Sequence, residues 1–411
     1  MKRFFFPLMV LLTACGTCAP LPEESSVPAG PKPEPISRVE LSDGEKARVE
    51  SGNVFAFKLL EQVFGSTKKS VFISPLSVQY ALGMVNNGAS GATEKEISTV
   101  LGQEGRDGIN EVCAHLLRDL PRVDTSVVLS LANGIVLNDA YTLKPAFKEA
   151  VERYYDARVE KMSYADPNAV IARVNGWCAE KTRGMIREII QDVHPDAILF
   201  ALNAIYFKGS WTEAFEAKMT RKAPFTTLSG AKTEVDMMHQ QGEFRYAETA
   251  HFQRLTLPYG NGKYAMEVFL PKEEIPSFLS YLAATPWKEV PGGYNGEVIV
   301  SFPRFETETF LTLNTILSAL GMPRAFTNAA EFFDLVEEAD AKISRVLHKA
   351  RIEVEEKGTE AAAVTAVEMV KVTAIPNPPK PKVFTADRPF VYVITERTSG
   401  AVLFTGVYTG E

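Results

Sequence analysis

From about Leu41 to the C-terminus nothing interrupts the chain: no Pro/Gly/Ser-rich linker, no internal repeat and no further low-complexity stretch divides it. Residues 41–411 are therefore expected to fold as one large domain, although the usual prior is roughly 100 to 200 residues per domain. A hydrophobic content of 45% supplies the core that a domain of this size needs. Two apolar periodicities occur within it. Helical spacing appears in "NVFAFKLLEQVF" (53–64), "SPLSVQYALGMVNNGA" (74–89) and "FLTLNTILSALGM" (310–322), and strand-like runs in 126–138, 197–211, 297–306 and 388–396. Two hairpins are expected: 254–271, turning at Gly260-Asn261-Gly262, and the C-terminal pair, turning at Arg397-Thr398-Ser399-Gly400. Helices dominate the first half and antiparallel strands the second, which predicts an α+β fold and argues against alternating βαβ units.

The ends of this domain read differently. Lys2 and Arg3 precede an apolar run, Phe4 to Leu12, that is too short to span a bilayer of roughly 30 Å, so residues 1–14 are expected to be a signal peptide. It closes on Leu12-Thr13-Ala14-Cys15, which resembles the bacterial lipobox, in which the cysteine carries the lipid; the alternative is an ordinary cleaved signal. The first reading predicts an envelope protein anchored through Cys15, at the outer membrane, the cell surface or the periplasmic face. Residues 15–40, rich in Pro, Glu and Ser, are expected to form a tether, because they hold too few large apolar groups to repay the entropy of folding.

Chemistry is sparse. The net charge of −7, with Lys and Arg spread evenly, offers no basic stripe to a nucleic acid. There is no Gly-x-Ser-x-Gly elbow, His-Glu-x-x-His helix, P-loop or Gly-x-Gly-x-x-Gly fingerprint. Ser66-Thr67-Lys68-Lys69 has the Ser-x-x-Lys spacing of penicillin-recognising enzymes, without the companion Lys-Thr-Gly. Cys15 and Cys18 belong to the processing site, and Cys113 and Cys178 sit in separate apolar surroundings as expected buried thiols. The five histidines lack metal spacing and nucleophile context, so neither a metal nor a cofactor is indicated. In "VLHKARIEVE", His348 alternates in phase with Ala350, Ile352 and Val354, which places it on the buried face of a strand.

The same alternation continues where no strand should be. In "EEKGTEAAAVTAVEMVKVTA" (355–374), one face reads Thr359, Ala361, Ala363, Thr365, Val367, Met369, while the opposite face collects Glu360 and Glu368. Gly358 separates this run from the preceding strand, and Pro376, Pro378, Pro379 and Pro381 follow it. Two readings stand: an edge strand, or a loop with a latent place in a sheet.

These residues resemble the reactive-centre hinge of the inhibitory serpins, a family of serine protease inhibitors. The resemblance covers essentially all of 45–411, through "FISPLSVQYALGMVNNGASGAT" (72–93), "LNAIYFKGSW" (202–211), "FPRF" (302–305), "LHKARIEVEEKGTEAAA" (347–363) and "DRPFVYVITERTSGAVLFTGVY" (387–408). It implies three β-sheets, eight or nine helices and an exposed reactive loop at about 356–383. A target protease would form its acyl-enzyme with the loop, whose insertion into the central sheet would trap that enzyme; the chain itself would not be an enzyme. The implied hinge comprises Glu356, Gly358, Thr359, Glu360, Ala361, Ala362 and Ala363, where small side chains would enter a packed sheet without the cost of overpacking or of burying a charge. A non-inhibitory member acting as a binding module is the alternative. Ser74, Ser77, Asn203 and His348 match the family's shutter, and Trp211 its breach tryptophan. Counting fifteen residues from Gly358 gives Val372-Thr373 as the reactive bond, suited to elastase-like enzymes, whereas Lys371-Val372 would suit trypsin-like ones. The implied partners are such serine proteases, with cysteine proteases as a further class, and the implied state is a monomer.

Overall fold

The computed structural model describes residues 34–194, 196–338, 341–359 and 380–411. The expected signal peptide, Cys15 and most of the tether therefore lie outside the described residues, as do Glu360, Ala361, Ala362, Ala363, Lys371, Val372 and Thr373. One compact unit spans Pro35–Glu411. The last residues of the expected tether pack onto it: Ile36 donates its N–H to the Arg122 carbonyl at 3.1 Å, and Val39 donates to Thr398 Oγ1 at 2.9 Å.

The first helix, Asp43–Thr67, starts at a capping box. The Ser42 hydroxyl accepts from the Glu45 N–H while the Glu45 carboxylate accepts from the Ser42 N–H, which satisfies two donors that a helix start leaves free. Its apolar side, Phe55, Leu59, Leu60 and Val63 among others, is buried in the main core. The helix Pro75–Asn86 is capped by Ser74 and has a proline in its first turn, where the missing N–H costs nothing. Eight α-helices are present among the described residues, six of them in the first half of the chain.

Two sheets carry the strands. The six-stranded sheet has the spatial order Phe305–Thr312, Leu347–Glu355, Gly358–Thr359, Leu199–Ser210, Val128–Asn138, Arg158–Met162. The nine-stranded sheet is organised around Lys232–Glu248, a strand of 17 residues. On one side this strand pairs from Met237 to Tyr246 with Tyr294–Pro303; on the other, its start pairs with Arg221–Thr226 and its end with Phe252–Tyr259. One long twisted strand thereby joins into a single hydrogen-bonded path what the resemblance counts as two sheets. Both expected hairpins form, as Phe252–Tyr259 with Tyr264–Pro271 and Phe390–Glu396 with Val402–Tyr408.

Two expectations need correction. The run 297–306 is not one strand: Tyr294–Pro303 belongs to the nine-stranded sheet and Phe305–Thr312 to the six-stranded one, and Arg304 makes the crossing with its N–H on the Asp236 carbonyl. The helix expected over 310–322 begins at Asn314, because Phe310, Leu311 and Thr312 extend the strand and pair with Lys349, His348 and Leu347.

Aromatic rings fill the space between the sheets. Phe404 stacks on Phe72 at 5.1 Å and meets the edge of Phe207 at 6.3 Å, while Phe305 lies against Phe390, Tyr392 and Tyr408.

Candidate functional site

The strand Leu347–Glu355 buries alternate residues, with His348, Ala350, Ile352 and Val354 inward. It pairs with Phe305–Thr312 through eight residue pairs on one side. On the other side, among the described residues, its partner is its own continuation: the chain reverses at Glu356-Lys357 and returns as Gly358–Thr359. These two residues also pair with Ser210 and Gly209 at the end of Leu199–Ser210. The start of the segment that reads as a loop with a latent place in a sheet is thus a strand, wedged between two others.

Gly358 is required there. Its φ is +141°, and a Cβ would lie 2.2 Å from the Gly209 carbonyl oxygen and 2.7 Å from Ser210 Cα. The surrounding contacts fix the reversal. Trp211 donates its backbone N–H to the Lys357 carbonyl and its indole Nε1–H to the Glu355 carbonyl, both at 2.9 Å, and Phe215 donates to the Glu356 carbonyl at 2.8 Å. The Glu356 carboxylate accepts from Thr220 Oγ1 at 2.8 Å and faces Arg304 Nη2 at 3.4 Å. Thr359 is 2% exposed, and its hydroxyl lies 2.6 Å from that of Tyr259.

Further down, the two strands flank a cleft lined by Asn203, Ile205, Phe207, His348, Ala350 and Thr359 together with Ser74 and Ser77. Ser74 ties its floor together. Its N–H donates to His348 Nε2 at 3.1 Å, its hydroxyl donates to the Leu403 carbonyl at 2.9 Å, and the same oxygen accepts from the Ser77 N–H at 3.2 Å. With Nε2 accepting, the His348 ring is neutral, and burial lowers its pKa from 6.5 to about 4. Asn203 does not join this network: its amide donates to Asn133 Oδ1 at 2.8 Å on the neighbouring strand, and its own Oδ1 has no partner among the described residues.

The structure therefore brings Ser74, Ser77 and His348 together, gathers Trp211, Glu356, Gly358 and Thr359 at the far end, and places Asn203 on the wall between them. Two residues that sequence reasoning missed belong here. Tyr259 closes a hairpin strand, and Asn133 sits opposite Asn203 in register. Neither carries a motif, and both lie in strands buried in consecutive runs, where alternation does not single them out.

Among the described residues, the cysteines and the Ser-x-x-Lys serine sit apart from any catalytic partner. The Cys113 and Cys178 thiols are free and buried, and burial pushes both up to about 12. Ser66 donates to the Val63 carbonyl at the end of its helix, as a plain helix-end serine. No group of His, Cys, Asp and Glu able to hold a metal occurs among the described residues.

Residues 50–410 match the family described as serpin, or serine protease inhibitor. Human Serpin B8 is 34% identical over 374 residues, covering 88% of this chain and 98% of that protein. The thermophilic serpin tengpin in its native state superposes with a TM-score of 0.79 at 26% identity, over 92% of this chain and 96% of tengpin. Human thyroxine-binding globulin complexed with thyroxine gives a TM-score of 0.77 at 26% identity, over 88% and 98%.

Proposed function

The chain belongs to the serpin family, and from that premise we propose that it is an inhibitor that traps serine proteases by inserting its cleaved loop as a strand of the six-stranded sheet. The observation that carries this reading is the seat of Gly358–Thr359, already paired on both sides between the strands Leu347–Glu355 and Leu199–Ser210. A loop whose residues Gly358 and Thr359 already lie in the sheet needs no search for its site when cleavage frees the rest. The residues that follow are small at alternate positions, Ala361, Ala363 and Thr365, and suit a packed interior.

The bait is Lys371-Val372 or Val372-Thr373, for trypsin-like or elastase-like enzymes respectively. Trapping is tested by mixing the protein with trypsin and with elastase, resolving the products on a denaturing gel, and weighing the released C-terminal peptide to place the bond. Covalent complexes that survive detergent are expected. Clean cleavage without any complex across a wide protease panel would instead support a non-inhibitory binding module, the role that the name of thyroxine-binding globulin gives to that neighbour.

The same reading extends to place. Lipidation of Cys15 would hold the inhibitor at a bacterial envelope, where proteases reach it. Detergent phase partitioning of the wild type against Cys15→Ser tests the anchor, with loss of partitioning expected in the variant.

A further inference from the structure

Thr359 and Tyr259 meet where the two sheets adjoin, although 100 residues separate them in the chain. Tyr259 ends the strand Phe252–Tyr259 of the nine-stranded sheet, and residues outside the loop hold it on several sides. Gly260 donates to the Ser210 carbonyl at 2.9 Å and Thr212 to the Pro258 carbonyl at 2.8 Å, fixing the backbone on both sides of the ring. The ring itself stacks on Trp211 at 4.3 Å and takes Phe207 in edge contact at 5.0 Å. Gly209 leaves room for it, since a Cβ there would stand 3.0 Å from Tyr259 Cδ1. The phenol is 0% exposed, and the Thr359 hydroxyl is its single hydrogen-bond partner among the described residues.

We infer that Tyr259 is a positioning residue for loop insertion: its hydroxyl reads the hydroxyl of Thr359 and so sets the register in which the loop enters the sheet. The inference rests on the inhibitory reading above. Its logic is that of strand pairing, in which a slip of one residue turns every side chain to the opposite face. Such a slip would bring Glu360 to the phenol and turn Glu360 and Glu368 toward the interior, burying two carboxylates without partners. A slip of two residues keeps the faces correct but offers the methyl group of Ala361, leaving a buried phenol hydroxyl unsatisfied. Thr359 alone among the neighbouring inward residues Thr359, Ala361 and Ala363 carries a hydroxyl to match. The small side chains let the loop enter; the hydroxyl pair decides where it starts.

The test uses the full chain as wild type, Tyr259→Phe, Thr359→Val, the double variant and Thr359→Ser. Two quantities are read: the moles of inhibitor consumed per mole of protease trapped, and hydrogen–deuterium exchange of the 355–359 amides in the uncleaved protein. Each of the first two variants is expected to raise the consumption by about tenfold and to speed exchange, because each leaves one buried hydroxyl orphaned. The double variant should be no worse than the worse single one, and Thr359→Ser should stay near wild type. Wild-type behaviour of Tyr259→Phe in both readouts, or strict additivity of the two single effects, overturns the inference, because a tyrosine acting only through its ring would behave so. If the wild type traps no protease, the inhibitory reading falls by itself. Exchange then still decides on the pair: faster exchange in Tyr259→Phe supports it and unchanged exchange overturns it.

Discussion

The strand Leu347–Glu355 has two neighbours, and they hold it in different ways. Toward Phe305–Thr312 it forms eight consecutive residue pairs, and the outward side chains add ion pairs, Lys349 with Glu308 at 3.1 Å and Arg351 with Glu306 at 2.8 Å. Toward Leu199–Ser210 the described contacts are few and specific: Gly358 and Thr359 pair with both strands at one end, and at the other His348 is held from the N–H of Ser74, the cap of the helix Pro75–Asn86. The first side spreads its energy over many equivalent contacts, so no single one matters much. The second concentrates it in a handful of buried groups, among them Gly358, Thr359 and His348. The loop insertion proposed above would need a sheet that opens on one side and stays closed on the other, and substitutions on the two sides should differ accordingly.

The largest effect should come from Thr359→Arg. The position is 2% exposed and faced by Tyr259, so a guanidinium there would be buried without an anion. Protease trapping is expected to drop by about a hundredfold, with the protein cleaved as an ordinary substrate. Undiminished trapping, measured as detergent-resistant complex, would mean that the second side is not built on this contact.

The next effect is a pH dependence at the floor of the cleft. His348 is neutral when folded, with its pKa lowered to about 4 by burial, against an ordinary value of 6.5. Between those values the unfolded chain takes up a proton that the folded protein refuses, so unfolding becomes easier as pH falls. The stabilisation is complete above about pH 6.5 and is lost on the way down to about pH 4, and at ~1.4 kcal/mol per pH unit it amounts to ~3 kcal/mol. Urea unfolding followed across this range should show the decline, and His348→Gln should remove this part of it. A pH profile in the variant as steep as in the wild type would show that other groups carry the response.

How much of this the sequence disclosed depends on the range of the interaction. The inward phase of His348, Ala350, Ile352 and Val354 was legible because alternation is a local property of a strand, and the same rule marked Thr359 as inward. The break between Tyr294–Pro303 and Phe305–Thr312 was less plain, since apolar residues continue across it. Its trace is a change of phase: Val298, Val300 and Phe302 are buried at even positions, then Phe305, Thr307 and Thr309 at odd ones. Tyr259 and Asn133 were not legible as site residues. Their partners lie 100 and 70 residues away, on strands brought together by tertiary packing alone, and a single sequence does not encode which inward residue meets which.

A smaller effect is expected from Ser74→Ala. The variant loses the cap of the helix Pro75–Asn86 and the hydroxyl's bond to the Leu403 carbonyl, together about 1–2 kcal/mol of unfolding free energy. It keeps the backbone N–H that His348 accepts, so the pH dependence should survive at a lower overall stability. A flattened pH profile in Ser74→Ala would show that the hydroxyl, and not the backbone bond, fixes the protonation state of the histidine.

The smallest effect belongs to the continuous side of the strand. Glu308→Gln removes the partner of Lys349, but the Glu308 side chain is 45% exposed, and water and salt already screen the pair. Exposed ion pairs of this kind contribute roughly 0–1 kcal/mol, so the urea midpoint should hardly move and protease trapping should remain at the wild-type level. The backbone ladder with Phe305–Thr312 remains complete in the variant, because the lost contact involves side chains alone. A loss of trapping comparable to that of Thr359→Arg would show that the ladder is as sensitive to one contact as the Gly358–Thr359 end is, and would remove the distinction between the two sides.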